Sequence, residues 1–131
     1  MKNLDILAIT NAYLENKNKS TGRELKLPAA VAWKRRVNLD KLFAVRKLID
    51  EAMADVKRRY TDDEHSVEAR AENGELARNV RPKFMPEFIK AQAEILDQDT
   101  DVDIRKVRIE DLGDIELTDS EMDTLQFMIE E

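Results

Sequence analysis

Residues 28–60, PAAVAWKRRVNLDKLFAVRKLIDEAMADVKRRY, contain no glycine and one proline, which stands at the first position. Proline suits the first turn of a helix, because no backbone N–H is needed there. At 100° per residue, apolar side chains of this stretch fall on one stripe about 100° wide. They are Val31, Leu42, Val45, Ile49, Ala52, Met53, Val56 and Tyr60. The stretch therefore predicts one long helix over 28–60, around which the rest of the chain packs.

The front half of this predicted helix is unusual in two ways. Asn38 falls in the middle of the apolar stripe, where a buried asparagine can fix the register between helices; alternatively, the helix is exposed there. Trp33, Leu39 and Phe43 lie off the stripe. They are either an aromatic-rich partner-binding site or side chains that pack under the first or last helix of the same chain.

The length of the predicted helix raises a second question. A straight helix over this stretch spans about 48 Å, whereas a compact chain of 131 residues has a diameter of about 36 Å. Either the helix breaks near Asn38 or its ends meet another chain. We favour a second copy or another protein partner.

The remaining sequence predicts short helices and a small β element. Asn73-Gly74 is a hairpin signal, although a ragged extension of the long helix ending at Gly74 is the alternative. Thr118 and Glu121 form a capping box. In chain order, the other predicted elements are a helix over 1–17, a polar arm or hairpin over 61–82, a helix over 86–97, a strand over 101–109 and a helix over 119–130. We therefore predict a mainly α fold with minor β structure, in a single domain over 1–131.

Composition narrows the function classes. The chain has no cysteine, which excludes disulfides, thiolate metal sites and cysteine nucleophiles. No apolar run approaches the ~18 residues of a membrane-spanning helix, and we expect no secretory signal. We expect a soluble, cytoplasmic protein that acts away from membranes.

Charge is divided unevenly along the chain. Residues 1–60 carry a net charge of +7 and residues 61–131 carry −13. Such a division can indicate a nucleic-acid or acidic-tail function; the simpler interpretation is that the two halves pack on each other. Whether they neutralise within one chain or between chains is left open by the sequence.

Two basic rows, each spaced by eleven residues, run along the predicted long helix. Such rows could follow a phosphate backbone, which makes a nucleic-acid-associated regulator the alternative function. Acidic residues four positions away can neutralise much of this charge within the helix, so nucleic acid is the less favoured partner. One row is Arg35, Arg46 and Lys57, and the other is Arg36, Lys47 and Arg58.

Metal and catalytic patterns are weak. Asp99, Asp101, Asp103 and Glu110 match positions 1, 3, 5 and 12 of a calcium loop, but Ile104 replaces the glycine at position 6. His65 is the only histidine, and its neighbour Ser66 does not by itself make a nucleophile–base pair. We predict no catalytic residue, no cofactor and no metal.

The order of elements resembles a known group of proteins. The segment WKRRVNLDKLFAVRKLIDEAMADVKRRY precedes an acidic arm containing ENG, followed by EFIKAQAEIL, VDIRKVRI and TLQFMIEE. Over roughly residues 30–131 this resembles small uncharacterised proteins encoded in phage and prophage structural gene modules, beside tail and head genes. The resemblance implies a non-enzymatic assembly protein, such as a tail-assembly chaperone or accessory component, in the bacterial cytosol or the virion. It implies no catalytic residues. Together with the length of the predicted long helix, it leads us to expect a protein partner, a homo-oligomer or both.

Overall fold

The computed structural model describes residues 1–19 and 26–130, with the side chains of residues 18 and 19 excepted. Helices predominate, and one two-stranded antiparallel sheet is present. The predicted mainly α class with minor β structure is therefore confirmed. The elements are α1 (Asn3–Lys19), α2 (Ala29–Arg59), β1 (Ser66–Arg70), β2 (Leu76–Val80), α3 (Met85–Leu96) and α4 (Asp119–Leu125), with 3-10 turns at Pro82–Phe84, Ile109–Leu112 and Gln126–Met128.

The chain divides into two compact units. Unit 1 comprises Met1–Arg46 and Asp99–Glu131, and unit 2 comprises Lys47–Gln98. The long helix α2 is continuous from Ala29 to Arg59, so the break considered near Asn38 does not form. The dividing point between the units lies inside this helix, and the expectation of one domain stays a prediction.

The core of unit 1 joins α2 to the last third of the chain. Its buried members are Val31, Val107, Leu112, Leu125 and Met128. Backbone bonds close this core: the Val107 N–H donates to the Met128 carbonyl at 2.8 Å, and the Glu130 N–H donates to the Val107 carbonyl at 2.7 Å. Val31 is thus the residue of the apolar stripe that anchors the front of α2 to this cluster.

The strand predicted over 101–109 is wrong. Residues 101–106 have no regular secondary structure, and Val107 makes only a one-residue parallel bridge with Ile129. A strand needs a partner strand for its backbone groups. Here the backbone of Arg105 bonds instead to the side chain of Asn38, which is fully buried. Asn38 therefore fixes an irregular segment against the helix rather than one helix against another.

Helix α4 begins as predicted but ends early. The Thr118 hydroxyl accepts from the Glu121 N–H at 3.1 Å, and the Glu121 carboxylate accepts from the Thr118 N–H at 3.0 Å. This reciprocal pair confirms the capping box. Instead of continuing to residue 130, the α-helix ends at Leu125 and passes into the 3-10 turn Gln126–Met128.

Unit 2 contains the end of α2, the hairpin and α3. Strands β1 and β2 pair with Ser66 opposite Val80 and Arg70 opposite Leu76. The turn uses Gly74 at φ +83°, a left-handed conformation that glycine adopts without steric cost. The hairpin expected at Asn73-Gly74 is therefore present, and the alternative helical extension is excluded. The predicted third helix is present as α3, whose first turn contains Pro86.

An aromatic cluster holds the root of the hairpin. The ring of Tyr60, just after α2, lies 5.5 Å from the rings of both His65 and Phe88. The His65 ring also lies 4.5 Å from the Phe84 ring. The root of the hairpin is thus packed between the end of α2 and the start of α3.

Candidate protein-interaction surfaces

The three residues predicted to bind a partner do not form one surface. Trp33 is 62% exposed, whereas Leu39 is only 8% exposed. Phe43 is half-buried, and its ring packs edge-on against Tyr13 of α1 at 5.9 Å. Leu39 and Phe43 therefore serve the interior of unit 1, and Trp33 alone remains accessible to another molecule.

Two of the three residues of the first basic row, Arg35 and Arg46, bind other side chains within unit 1. The Arg35 guanidinium lies 5.2 Å from the Tyr13 ring centre, and its Nη2 donates to the Thr124 hydroxyl at 3.4 Å. Burial lowers the pKa of Arg35, against the opposing effects of Tyr13 and Glu121. Arg46 donates from Nη1 to the Thr10 hydroxyl at 2.9 Å. These two arginines fasten helices rather than present charge to a ligand.

The second basic row is more accessible. Arg36, Lys47 and Arg58 are exposed, as is Lys57 from the first row. Arg58 forms an ion pair with Asp55, one turn earlier on the same helix. With Arg35 and Arg46 engaged elsewhere, the continuous basic face considered for nucleic acid is reduced to separate cations.

Helix α3 presents an open apolar face. All twelve of its residues are described, and none is buried. Phe88 packs on Tyr60, but Ile89 is 57% exposed and Met85 is also exposed. Met85 and Ile89 are four residues apart, so they are neighbours on one side of the helix. Leu48 of α2, in the same unit, is 65% exposed. Unit 2 therefore carries large apolar side chains that the described part of the chain leaves exposed.

The hairpin has two open edges. In the part of the chain that the structure describes, β1 pairs only with β2. The Ala71 N–H donates to the Glu75 carbonyl at 2.9 Å, and the Arg81 N–H donates to the His65 carbonyl at 2.8 Å. Because antiparallel hydrogen-bonded pairs alternate, the odd-numbered residues of β1 face β2. The backbone groups of Glu68 and Arg70 consequently point to the outer edge.

The acidic turn before β1 brings together a possible metal-ligand set that the sequence did not single out. Ligand atoms of Asp62, Glu64 and His65 all lie within 4.8 Å of one another. His65 Nδ1 is 2.6 Å from Asp62 Oδ1, and the His65 N–H also donates to that oxygen at 2.9 Å. The side-chain hydrogen bond from His65, followed by this backbone bond, lowers the pKa of Asp62. Since both acids are exposed and Asp62 already binds His65, we assign the cluster to fastening the turn.

Ser66 also serves the hairpin root. It is buried, its hydroxyl donates to the Asp62 carbonyl at 2.5 Å, and it accepts from Arg78 Nε at 2.8 Å. Arg78 in turn binds the Asp63 carboxylate at 2.9 Å. The His65 ring contacts Asp62 rather than the Ser66 hydroxyl, so the adjacent pair lacks the geometry of an activated nucleophile. Arg78 is the connecting residue here, and no spacing in the sequence marked it.

The acidic residues that match the calcium-loop template lie apart from one another in the structure. Asp99 makes a β-bridge with Lys2, and the Asp103 carbonyl accepts from Lys41 Nζ at 3.0 Å. Glu110 lies in a 3-10 turn. Across residues 1–19 and 26–130, the four acids of the template are not gathered around one point. The segment from Asp99 to Glu110 therefore does not form a calcium loop.

Comparison with known protein families, with characterised proteins and with solved structures finds no match. Among the described helices, none combines the length and apolarity needed to cross a membrane. The candidate surfaces consequently depend on exposure and chemistry alone. The face of Met85 and Ile89 and the edge of Glu68 and Arg70 were not predicted as sites. The i, i+4 apolar pair and the alternating charges around Ala69 were the sequence signals for them.

Proposed function

We propose that this chain is a non-enzymatic protein that assembles with other protein chains, and that unit 2 supplies the contact surface. One observation carries this proposal: α3 is amphipathic, yet none of its residues is more than partly buried, and Met85 and Ile89 are exposed. A helix of about 12–15 residues is marginal in water without packing. Helix α3 keeps Phe88 against Tyr60 and leaves Met85 and Ile89 exposed, so a second protein surface would complete its packing.

The energetic gain from such a contact is sizeable. Full burial of a side chain such as isoleucine or methionine contributes about 1.5–3 kcal/mol. Ile89, Met85 and Leu48 are all available in unit 2. Two or three such side chains at the centre of an interface would supply much of the energy of a moderately tight complex, because a few anchors dominate binding.

We propose phage or prophage particle assembly as the biological setting, with a role as an accessory component or assembly chaperone. This part rests on the resemblance of residues 30–131 to proteins of phage structural gene modules. A chaperone of this kind must cover apolar surface on another protein, which agrees with the open face of α3. The bacterial cytosol, where particles assemble, would be the site of action.

A non-enzymatic role is supported by the contacts of the candidate catalytic side chains, which bind or pack against neighbouring residues of the hairpin root. Ser66 is buried and hydrogen-bonded to Asp62 and Arg78, and the His65 ring packs edge-on against Tyr60 and at a tilt against Phe84. The nucleic-acid alternative is less supported, because Arg35 and Arg46 bind within unit 1.

The solution mass, measured by light scattering across a range of protein concentrations, tests the proposal. We expect a mass above that of the monomer, and we expect Ile89→Glu to lower it because a carboxylate would enter the apolar contact. Lys90→Glu is the matched control: it places the same side chain on the same helix, at an exposed position next to Ile89, and should leave the mass unchanged.

Two outcomes would contradict the proposal. One is a monomer at every concentration for wild type and variants alike. The other is tight binding to duplex or single-stranded DNA that weakens steeply with salt, which would favour the phosphate-binding alternative.

A further inference from the structure

We propose that two copies of this chain pair through the free edge of β1, antiparallel and two-fold symmetric about Ala69, to form a continuous four-stranded sheet. This inference rests on the proposed function and names a second copy as one protein partner. It concerns the strand edge rather than the face of α3, so the two can be tested apart.

The edge is available for pairing. A two-stranded hairpin is marginal unless it packs on a helix or gains strands. Here Ser66 at the root is buried, whereas Val67, Glu68 and Arg70 of β1 are exposed, as are the first four residues of β2. The outward backbone groups of Glu68 and Arg70 thus form a template for a further strand.

The sequence of β1 is complementary to itself. Residues 67–71 read Val-Glu-Ala-Arg-Ala. When two such strands pair antiparallel about Ala69, Glu68 of each copy lies directly opposite Arg70 of the other. Both residues have outward backbone groups, so these positions become the hydrogen-bonded pairs that the antiparallel pattern requires. The symmetric pairing therefore creates two opposite-charge pairs and no like-charge pair.

The charges of this edge are free to pair. In the part of the chain that the structure describes, neither the Glu68 nor the Arg70 side chain has an ion-pair partner. Arg78, which faces Glu68 across the hairpin, is bound to Asp63 and Ser66 instead. A second copy would supply the missing counter-charge for both residues.

Other pairings fit less well. Centring the β1 pairing on Glu68 or on Arg70 sets like charges opposite each other, which is destabilising. Two copies could also pair through the outer edges of their β2 strands. A pairing centred on Arg78 places the two arginines opposite each other, and a pairing centred on position 77 or 79 places Arg78 opposite Leu76 or Val80, neither of which is charged. The pairing about Ala69 is the register in which charge complementarity is complete.

The resulting sheet is consistent on both faces. On one face, Glu68 would lie between Arg78 of its own hairpin and Arg70 of the second copy. On the other face, Ala69 and its hairpin partner Ala77 would align with the same two alanines of the second copy. A five-residue edge buries less than the ~1,600 Å² of a standard interface, so we expect a dimer that dissociates on dilution.

Charge exchange at the edge tests the inference with the full chain. Glu68→Arg and Arg70→Glu should each weaken dimerisation by about tenfold or more, because each single change makes both cross-copy pairs repulsive. The double variant E68R/R70E should dimerise again. An equimolar mixture of the two single variants should form a heterodimer, since each then supplies the charge that the other lacks. Sedimentation equilibrium gives all four masses.

Glu75→Arg is the matched control. It makes the same charge change on the hairpin, outside the 67–71 edge, and should leave the dimer unchanged. Far-UV circular dichroism checks that each variant is folded. Because Glu68→Arg also places two arginines opposite each other within the hairpin, recovery in the double variant and in the mixture separates the contact between copies from a local defect.

The outcomes separate this inference from the proposed function. An oligomer insensitive to these edge charges but weakened by Ile89→Glu would overturn the edge pairing and leave the proposed function standing. Masses beyond the dimer that persist in Ile89→Glu would also overturn it, since closed two-fold pairing stops at two copies. A monomer throughout would overturn both.

Discussion

Asn38 and Arg105 are joined by two hydrogen bonds that use both polar atoms of the asparagine side chain. Asn38 Nδ2 donates to the Arg105 carbonyl at 2.9 Å, and Asn38 Oδ1 accepts from the Arg105 N–H at 2.8 Å. Asn38 is fully buried. The side chain thus takes the place of a neighbouring strand, and it satisfies backbone groups 67 residues away in the sequence.

We expect Asn38→Ala to lower the free energy of unfolding by about 2–4 kcal/mol. The substitution removes two part-buried hydrogen bonds, each of which contributes about 0.5–1.5 kcal/mol, and it leaves a cavity where the fully buried Asn38 side chain lay. Urea denaturation followed by circular dichroism measures the change. Asn11→Ala, at an exposed position of α1, is the control and should change stability by less than about 0.5 kcal/mol. Equal effects of the two substitutions would show that the paired hydrogen bonds contribute little.

The adjacent residues Arg35 and Arg36 should respond differently to truncation. Arg35→Ala should cost about 1–2 kcal/mol, because the stem of Arg35 packs within unit 1. Arg35→Met should cost less than about 1 kcal/mol, since it keeps the stem and removes a buried Nε that has no hydrogen-bond partner among the described residues. Arg36→Ala, at an exposed site, should be close to neutral. The same denaturation assay ranks the three variants, and an Arg35→Ala as mild as Arg36→Ala would argue against a packing role.

The capping box of α4 gives a local prediction. Thr118→Ala should destabilise the protein by about 1 kcal/mol, because the Glu121 N–H loses its acceptor. Thr118→Ser keeps the hydroxyl and should restore most of the loss. Thermal unfolding compares the three proteins. If serine and alanine proved equally destabilising, the methyl group of Thr118 rather than its hydroxyl would be responsible.

The turn before β1 gives a pH-dependent prediction. The pKa of Asp62 is lowered in the folded state, chiefly by the hydrogen bond from His65. The Asp62 carboxylate therefore makes its full contribution to the free energy of unfolding at pH values above its unfolded-state pKa. This contribution is lost as the pH falls below about 4 towards the pKa of Asp62 in the folded state. We expect Asp62→Asn to flatten the dependence of the urea midpoint on pH in this acidic window.

An NMR titration identifies the cause of that shift. The Asp62 carboxyl resonance should titrate below its ordinary pKa in the wild type and move up towards it in His65→Gln. A midpoint that is unchanged by His65→Gln would assign the shift to the backbone N–H of residue 65, which the substitution retains, and to the charge of Arg78, since both also lower the pKa of Asp62.

The features that sequence predicted well are local ones. The Thr118–Glu121 capping box, the Asn73-Gly74 turn and the proline in the first turn of α3 each depend on residues a few positions apart, and each is present. The long helix was also predictable, because its apolar stripe repeats over eight turns. Such signals report backbone preferences that hold largely regardless of the rest of the fold.

The features that sequence missed depend on distant residues. Alternation over 101–109 predicted a strand, but the backbone of Arg105 binds Asn38, and nothing near either residue indicates the other. Trp33, Leu39 and Phe43 were grouped by their position off the stripe, yet their exposure is set by α1 and by the core of unit 1. Arg35 and Arg46 were placed on a basic face, whereas Thr124 and Thr10 bind them inside. The open face of α3 was unpredictable for the same reason, since exposure is a property of the assembled unit.

The division of the chain into one interrupted and one uninterrupted unit has a consequence during translation. Unit 2 is a single stretch, Lys47–Gln98, inserted between the two segments of unit 1. As the ribosome makes the chain from its N-terminal end, every residue of unit 2 is added before Val107, Leu125 and Met128, the partners of Val31 in the core. The front of α2 around Val31 therefore lacks these core partners until the last quarter of the chain has been made.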